Sequence, residues 1–419
     1  MKKKILIAVL LVLALAAYFV LRDTSTTIDA KIDVAALPQA SEAQLEAIAE
    51  SFILAKKGDV IEIPEGYYEF STQLYLDKVP GVTIKGAGMD KTVLSFKNLT
   101  VGAEGIKISA DSVLISSLTV QDTPGDNIKI QNSKGVTLQN VRTTWSQGPA
   151  ETNGGYGIYP VTCQDVLIEN CEVSGASDAG IYVGQSRNIV VRNNYVFNNV
   201  AGIEIENCIN SEVYKNLSTH NTGGILVFDL PSLPAGNGHT CKVYDNEIIE
   251  NNYKNFAPEG NIVGTVPPGT GIILLAAKNV EIYNNKIVGH KTMGTAISSY
   301  QTVQTPWNDA NYDPFTYDVY IHDNSYHSDG YRFPDYSKDF GKLVVFYLGA
   351  KAKDIVYDGI LDDKKGTDLA QNPMNLCIQN QDGASFAMID AANDLQNISD
   401  DPAPYDCTHT IKTDVSALQ

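Results

Sequence analysis

Glu204 and Glu206 stand two residues apart, and Asp229 follows one repeat later in a chain that echoes itself about every 22 residues. Alternate residues of a strand share a face and lie about 6.6 Å apart. That approaches the separation at which paired carboxyls hydrolyse glycosidic bonds. The same three acids could instead give oxygen ligands to Ca2+, which would bridge an anionic sugar to an acidic protein. Proton abstraction beside a carboxylate has other needs: a base at the proton and a charge that neutralises the carboxylate. Tyr182, Tyr159 and the histidines His220 and His239 offer the base, and Arg187, Arg192 or Lys254 the neutralising charge. Phe228, Trp145 and Trp307 are rings of the kind that stack on sugars. The catalytic candidates are therefore Glu204, Glu206, Asp229, Tyr182 and His220. The substrate-binding candidates are Tyr159, Phe228, Arg187, Trp145, Trp307, His239 and Lys254. Each has a plainer reading as well, since acids are common on a solvated strand face and an indole often only anchors its loop.

These residues are positioned by a repeat. Segments starting at Gly157 ("GIYPVTCQDVLIENCEV"), Gly180, Gly202 and Gly271 align, and the segment from Asn127 fits the same frame. Within a segment apolar residues alternate, as in Ile181, Val183, Ile189 and Val191. A period of two means strands with one buried face. Short strands repeated in this way predict parallel sheets wound into a solenoid, with coils about 4.8 Å apart. Asn194, Asn216, Asn246, Asn285 and Asn324 fall at one register, where stacked amides would satisfy one another. Tyr214, Tyr244 and Tyr283 fall at an outward register and are expected to stack structurally. Surplus residues at roughly 144–156, 229–238, 254–270 and 301–317 are expected to be loops walling a groove. Its floor would be the outward residues Tyr159, Tyr182, Glu204, Glu206 and Phe228, with Asp229 where wall meets floor.

Residues 41–361 thus predict an all-β parallel β-helix, capped at its N-terminal mouth by an amphipathic helix over 41–57 with Ser41 and Gln44 at capping-box spacing. Residues 362–419 read as an irregular segment over the far end or the flank. Residues 1–22 carry Lys2–Lys4 ahead of an uncharged run from Ile5 to Leu21, which predicts a signal anchor or a cleaved signal peptide, and 23–40 a linker. The body would then be exported: membrane-anchored and facing the periplasm, or secreted. Export permits disulfides. Cys163 and Cys208 lie two coils apart, too far to bridge, so the four solenoid cysteines should be free. Cys377 and Cys407 are expected to pair. A net charge of −18 leaves no field for nucleic acid. No phosphate loop or zinc spacing is present, and the protein is taken to be a monomer.

Residues "GDVIEIPEGYYEF" (58–70) and "VTIKGAGMDKTVLSF" (82–96), followed by the G-I-x-I/V-x-N repeats, resemble the right-handed parallel β-helix superfamily of pectate-lyase type. Within it the chain is similar to the carbohydrate-binding and sugar-hydrolase repeat group, which includes mannuronan C5-epimerases, over about 59–361. "NTGGILVFDLP" (221–231) and "YDVYIHDN" (317–324) look like an uncharacterised exported subfamily. The resemblance implies a polysaccharide partner and an activity such as polyuronate lyase or C5-epimerase, or a non-catalytic glycan-binding scaffold. The epimerases' Asp-Pro-His-Asp signature and the polygalacturonase motifs are absent, so the resemblance assigns no catalytic residue.

Overall fold

The computed structural model describes residues 32–327, 339–349, 353–379 and 383–418. The segment read as a signal anchor, 1–22, lies outside the described residues. Among the described residues no helix is long and apolar enough to cross a membrane.

Each coil supplies three short strands, for example Ala179–Gly184, Arg187–Arg192 and Tyr195–Phe197, and then Ala201–Glu206, Ile209–Tyr214 and Leu217–Thr219. The first strands form one parallel sheet of 11 strands, and the second and third strands form a sheet of 19. Equivalent residues lie over one another as the alternation predicts. Ile158, Ile181, Ile203, Ile225 and Ile272 make one fully buried inward column. The corner between second and third strands is made by a residue in the left-handed region, at Asn193, Lys215, Asp245, Asn284 and Asp323. This reversal turns the following side chain inward.

That side chain is an asparagine in every case, and the five form a continuous ladder. Asn194, Asn216, Asn246 and Asn285 each donate both backbone N–H and Nδ2 to the next Oδ1, at 2.9–3.0 Å. Each Nδ2 also reaches a strand carbonyl of the preceding coil, as Asn216 does to Val191 at 2.9 Å. A second ladder runs five residues later, through Asn199, Asn221 and Asn251 to the His290 ring. Sequence reasoning missed it, although positions 199, 221, 251 and 290 shadow 194, 216, 246 and 285. Outside the barrel, Tyr214, Tyr244 and Tyr283 stack with centroids 4.7 and 4.9 Å apart, and His322 continues the stack at 5.2 Å.

The helix Glu42–Ile53 covers the N-terminal mouth with Ile48 and Phe52, and Ser41 N donates to Gln44 Oε1 at 2.9 Å. The far end needs a correction. Strands Leu376–Gln379 and Phe386–Met388 pair in parallel with Tyr317–His322 and Ile355–Tyr357, so coils continue into the segment read as irregular. Loops between these strands hid the period. Beyond them Tyr405 packs on Tyr357 and Phe386, and the tail returns along the flank. There Asp414 N donates to Asn210 Oδ1 at 2.9 Å and Val415 packs on Val190 and Tyr214. Cys377 and Cys407 form a disulfide, and Cys163, Cys171, Cys208 and Cys241 are free and buried.

Asn216→Ala would strip the acceptor from two Asn194 donors and remove the Nδ2 donor from the Val191 carbonyl. Unsatisfied buried groups cost about 1–3 kcal/mol each, so a loss of about 3 kcal/mol or more is expected from urea unfolding. The exposed loop variant Asn308→Ala should change little. Equal effects would refute the ladder's role.

Candidate functional site

The surplus loops do flank the first-strand face, but they fold over much of it. Phe256, Val263 and Val266 from one loop and Tyr300 and Tyr312 from another pack onto Leu226, Phe228, Ile273 and Leu275. The coils of Leu226 and Phe228 and of Ile273 and Leu275 are therefore covered, and Phe228 is a buried packing residue rather than an open platform. The expectation of an open groove running from Tyr159 to Asp229 is corrected accordingly: apolar outward residues on those coils recruit the loops.

Where the apolar column ends, the polar one begins. In register along the first-strand sheet stand Lys107, Lys129, Tyr159, Tyr182, Glu204 and Leu226. Tyr182 leans across Gly184, where any Cβ would collide with its ring. Its hydroxyl thereby reaches the neighbouring coil and donates to Glu206 Oε1 at 2.5 Å. Tyr156 and Tyr159 complete a three-ring wall, with centroids 4.5–5.0 Å apart. The Tyr156 hydroxyl donates to Asp178 Oδ2 at 3.4 Å, and Asn261 Nδ2, on the long loop after Ile249, donates to the same oxygen at 3.2 Å. Lys129 Nζ lies 4.6 Å over the Tyr159 ring, 3.5 Å from Glu104 and 3.7 Å from Asp126.

Burial governs the acids. It pushes Glu206 up to about 7, against the Tyr182 hydroxyl that favours the carboxylate. Asp178 is pushed to about 7 by burial and then by nearby Glu206, and Asp126 to about 6 by burial despite Lys129. Glu204 is the extreme case. It is 1% exposed, neither oxygen has a hydrogen-bond partner, and burial followed by Glu206 and Asp178 pushes it well above the usual carboxylate range. Burial and Glu206 also hold the Tyr182 phenol firmly protonated.

Other sequence candidates fall elsewhere. Asp229 does not join the glutamates. Its carboxylate pairs with Lys278 at 2.6 Å and accepts from Gly238 N at 2.9 Å, while its carbonyl accepts from Tyr312 at 2.6 Å. It fastens two loops together. Among the described residues no three His, Cys, Asp or Glu side chains stand where they could hold a metal ion, so the Ca2+ trio of Glu204, Glu206 and Asp229 is not assembled. His220 lies at a third-strand turn, bonded to Thr219 at 2.8 Å, and exposed His239 contacts Thr240 at 2.7 Å. Arg187 is exposed on the second-strand sheet, and Lys254 is an exposed loop residue whose carbonyl accepts from Thr222. Trp145 is buried, its indole donating to the Thr123 carbonyl at 2.8 Å, so it anchors its loop. Trp307 is 37% exposed and packs edge-on against Tyr300 and Tyr312. Asp178, Asp126, Tyr156, Lys129 and Asn261 were missed. Asp126 and Asp178 lie in turns just before first strands, outside the alternating positions.

The acids set a pH dependence of stability. A carboxyl raised in the folded state favours folding most below the ordinary carboxylate range, and that contribution is lost as pH rises through about 7. Replacing Glu204 by Leu, matching Leu226 in the next coil, should therefore raise stability at pH 8 by about 1–3 kcal/mol and change it far less at pH 5. Urea unfolding at both pH values checks this. Equal destabilisation at both would contradict the buried, unpaired acid.

Residues 104–310 match the family model described as right handed beta helix region. Among solved structures the chain is similar to two A-modules of Azotobacter vinelandii mannuronan C-5 epimerases. The AlgE6 module is 14% identical, with 83% of this chain and 92% of that one covered and a TM-score of 0.49. The AlgE4 module is 14% identical, with 76% and 88% covered and a TM-score of 0.48. An exopolygalacturonase from Thermotoga maritima is also 14% identical, with 69% and 86% covered and a TM-score of 0.42. No curated protein sequence matches. With its in-register parallel coils and the family match over 104–310, the chain folds as a right-handed parallel β-helix.

Proposed function

We propose that this is an exported, carbohydrate-active protein that binds a polysaccharide over the tyrosine wall and hydrolyses it with Asp178 and Glu206. One observation carries the reading. Two neighbouring carboxyls, each accepting from a tyrosine hydroxyl of the same three-ring cluster, are both held near 7. Coupled acids titrate as a pair, so near neutrality one proton is shared between them. The protonated member gives its proton to the glycosidic oxygen as the bond to the anomeric carbon breaks. The ionised member takes a proton from the incoming water or stabilises the cationic sugar. Tyr156 and Tyr159 are half-buried and present ring surface for stacking.

The lyase and epimerase reading has less support. Tyr182 keeps its proton and cannot serve as the base. Lys107 and Lys129 already pair with Glu104 and Asp126, leaving no neutralising charge for a uronate. The Cys377–Cys407 disulfide supports export, because such bonds persist in oxidising compartments.

The test is a panel of polysaccharides assayed for new reducing ends. Turnover should be greatest close to pH 7, falling in acid as both carboxyls protonate and in alkali as both ionise. Asp178→Asn and Glu206→Gln should each lower kcat by about 10²–10⁴-fold. Retained binding with no turnover in the unmutated protein would leave a glycan-binding scaffold instead. Unsaturated products would favour the lyase.

A further inference from the structure

The charge of the site narrows the glycan, and this step rests on the reading just given. Around the tyrosine wall stand the carboxyls of Glu104, Asp126, Asp178, Glu204 and Glu206, against only two lysines. Lys107 lies 3.6 Å from Glu104, and Lys129 lies 3.5 Å from Glu104 and 3.7 Å from Asp126. No basic side chain among the described residues pairs with Asp178, Glu204 or Glu206. Glu204, almost wholly buried and with neither oxygen bonded, faces the other two. Buried carboxyls in folded proteins normally have partners; Asp178 and Glu206 have only neutral ones, and Glu204 has none.

The rings point the same way. Lys129 already holds an ammonium over the face of Tyr159, where the ring quadrupole attracts it. Tyr156 and Tyr182 extend the same aromatic surface toward Asp178 and Glu206. Aromatic faces backed by unpaired carboxyls recognise cations. A uronate chain would bring more negative charge to a protein that already carries −18, and a neutral sugar would leave the acids unanswered.

We infer that the ligand is a polysaccharide with free amino groups, one ammonium lying between the Tyr156–Tyr159 rings and the Asp178–Glu206 carboxyls. The bound ammonium supplies the counter-charge the cluster lacks, and acetylation of the amine removes it.

Titration calorimetry on the full chain tests this with hexamers of β-1,4- and β-1,6-linked glucosamine and α-1,4-linked galactosamine. Each is paired with its fully N-acetylated form, and a hexauronate is added. The amino form should bind at least about tenfold tighter than its acetylated twin, with the hexauronate weakest. Asp178→Asn or Glu206→Gln should erase most of that preference. Glu62→Gln, an exposed acid on the other sheet, should keep it. Equal or tighter binding of the acetylated or uronate oligomers would overturn the inference and leave glycan binding intact. So would an equal loss in Glu62→Gln, which would mark unspecific attraction. Failure of every oligosaccharide to bind would instead remove the glycan reading itself.

Discussion

A parallel coil can lie on its neighbour only if its corners are dry and still hydrogen-bonded. Backbone donors at a buried corner have no water, and each orphan would weigh against folding. Here the left-handed residue at the corner aims an asparagine inward, and its single oxygen accepts from two donors of the coil below. Five such amides, and a second row ended by His290, lock coil to coil, while Cys163, Cys171, Cys208 and Cys241 stay free. The register of every outward side chain follows from that lock, including the column from Lys107 to Leu226.

Rigid register also explains why the protein has two apolar cores. The inner one fills the barrel, and the outer one lies between the first-strand sheet and the loops folded on it. Both arise from the alternation of strand side chains, because outward Leu226, Ile273 and Leu275 must be covered as surely as inward Ile225 and Ile272. The candidate site occupies the boundary where outward residues change from apolar to tyrosine, lysine and acid. The cover extends over Tyr182, Glu204 and Asp178, and Tyr156 and Tyr159 are left partly open.

The acid cluster works against stability. Glu204 in particular is a buried, unpartnered carboxyl where the adjacent coils place Tyr182 and Leu226. A residue of that kind is costly to keep, and burial around it keeps Asp178 and Glu206 ready to exchange protons near neutrality. Asp229 shows the opposite solution. Its charge is answered by Lys278, and it holds loops together.

Much of this could be read from the residues in order. Alternation at Ile181, Val183, Ile189 and Val191 required strands, and the recurring asparagines required that the strands stack. Those signals are local and repeat at fixed spacing, so one dimension suffices to see them. Tyr182 and Glu206 could be placed on one face for the same reason. Whether a face is open is another matter, because that depends on where long loops come to rest. Contacts between distant residues decided it: Phe256 in one apolar cluster with Phe228, Lys278 on Asp229, Asn261 on Asp178. They turned Asp229 into a fastener and tied Asp178 to a covering loop. The sequence by itself determined the coil, its register and the aromatic and acidic stripes, since these follow from periodic side-chain direction. The tertiary structure alone decided which acids are paired, which are buried and which meet solvent, because those properties depend on neighbours that no spacing in the chain predicts.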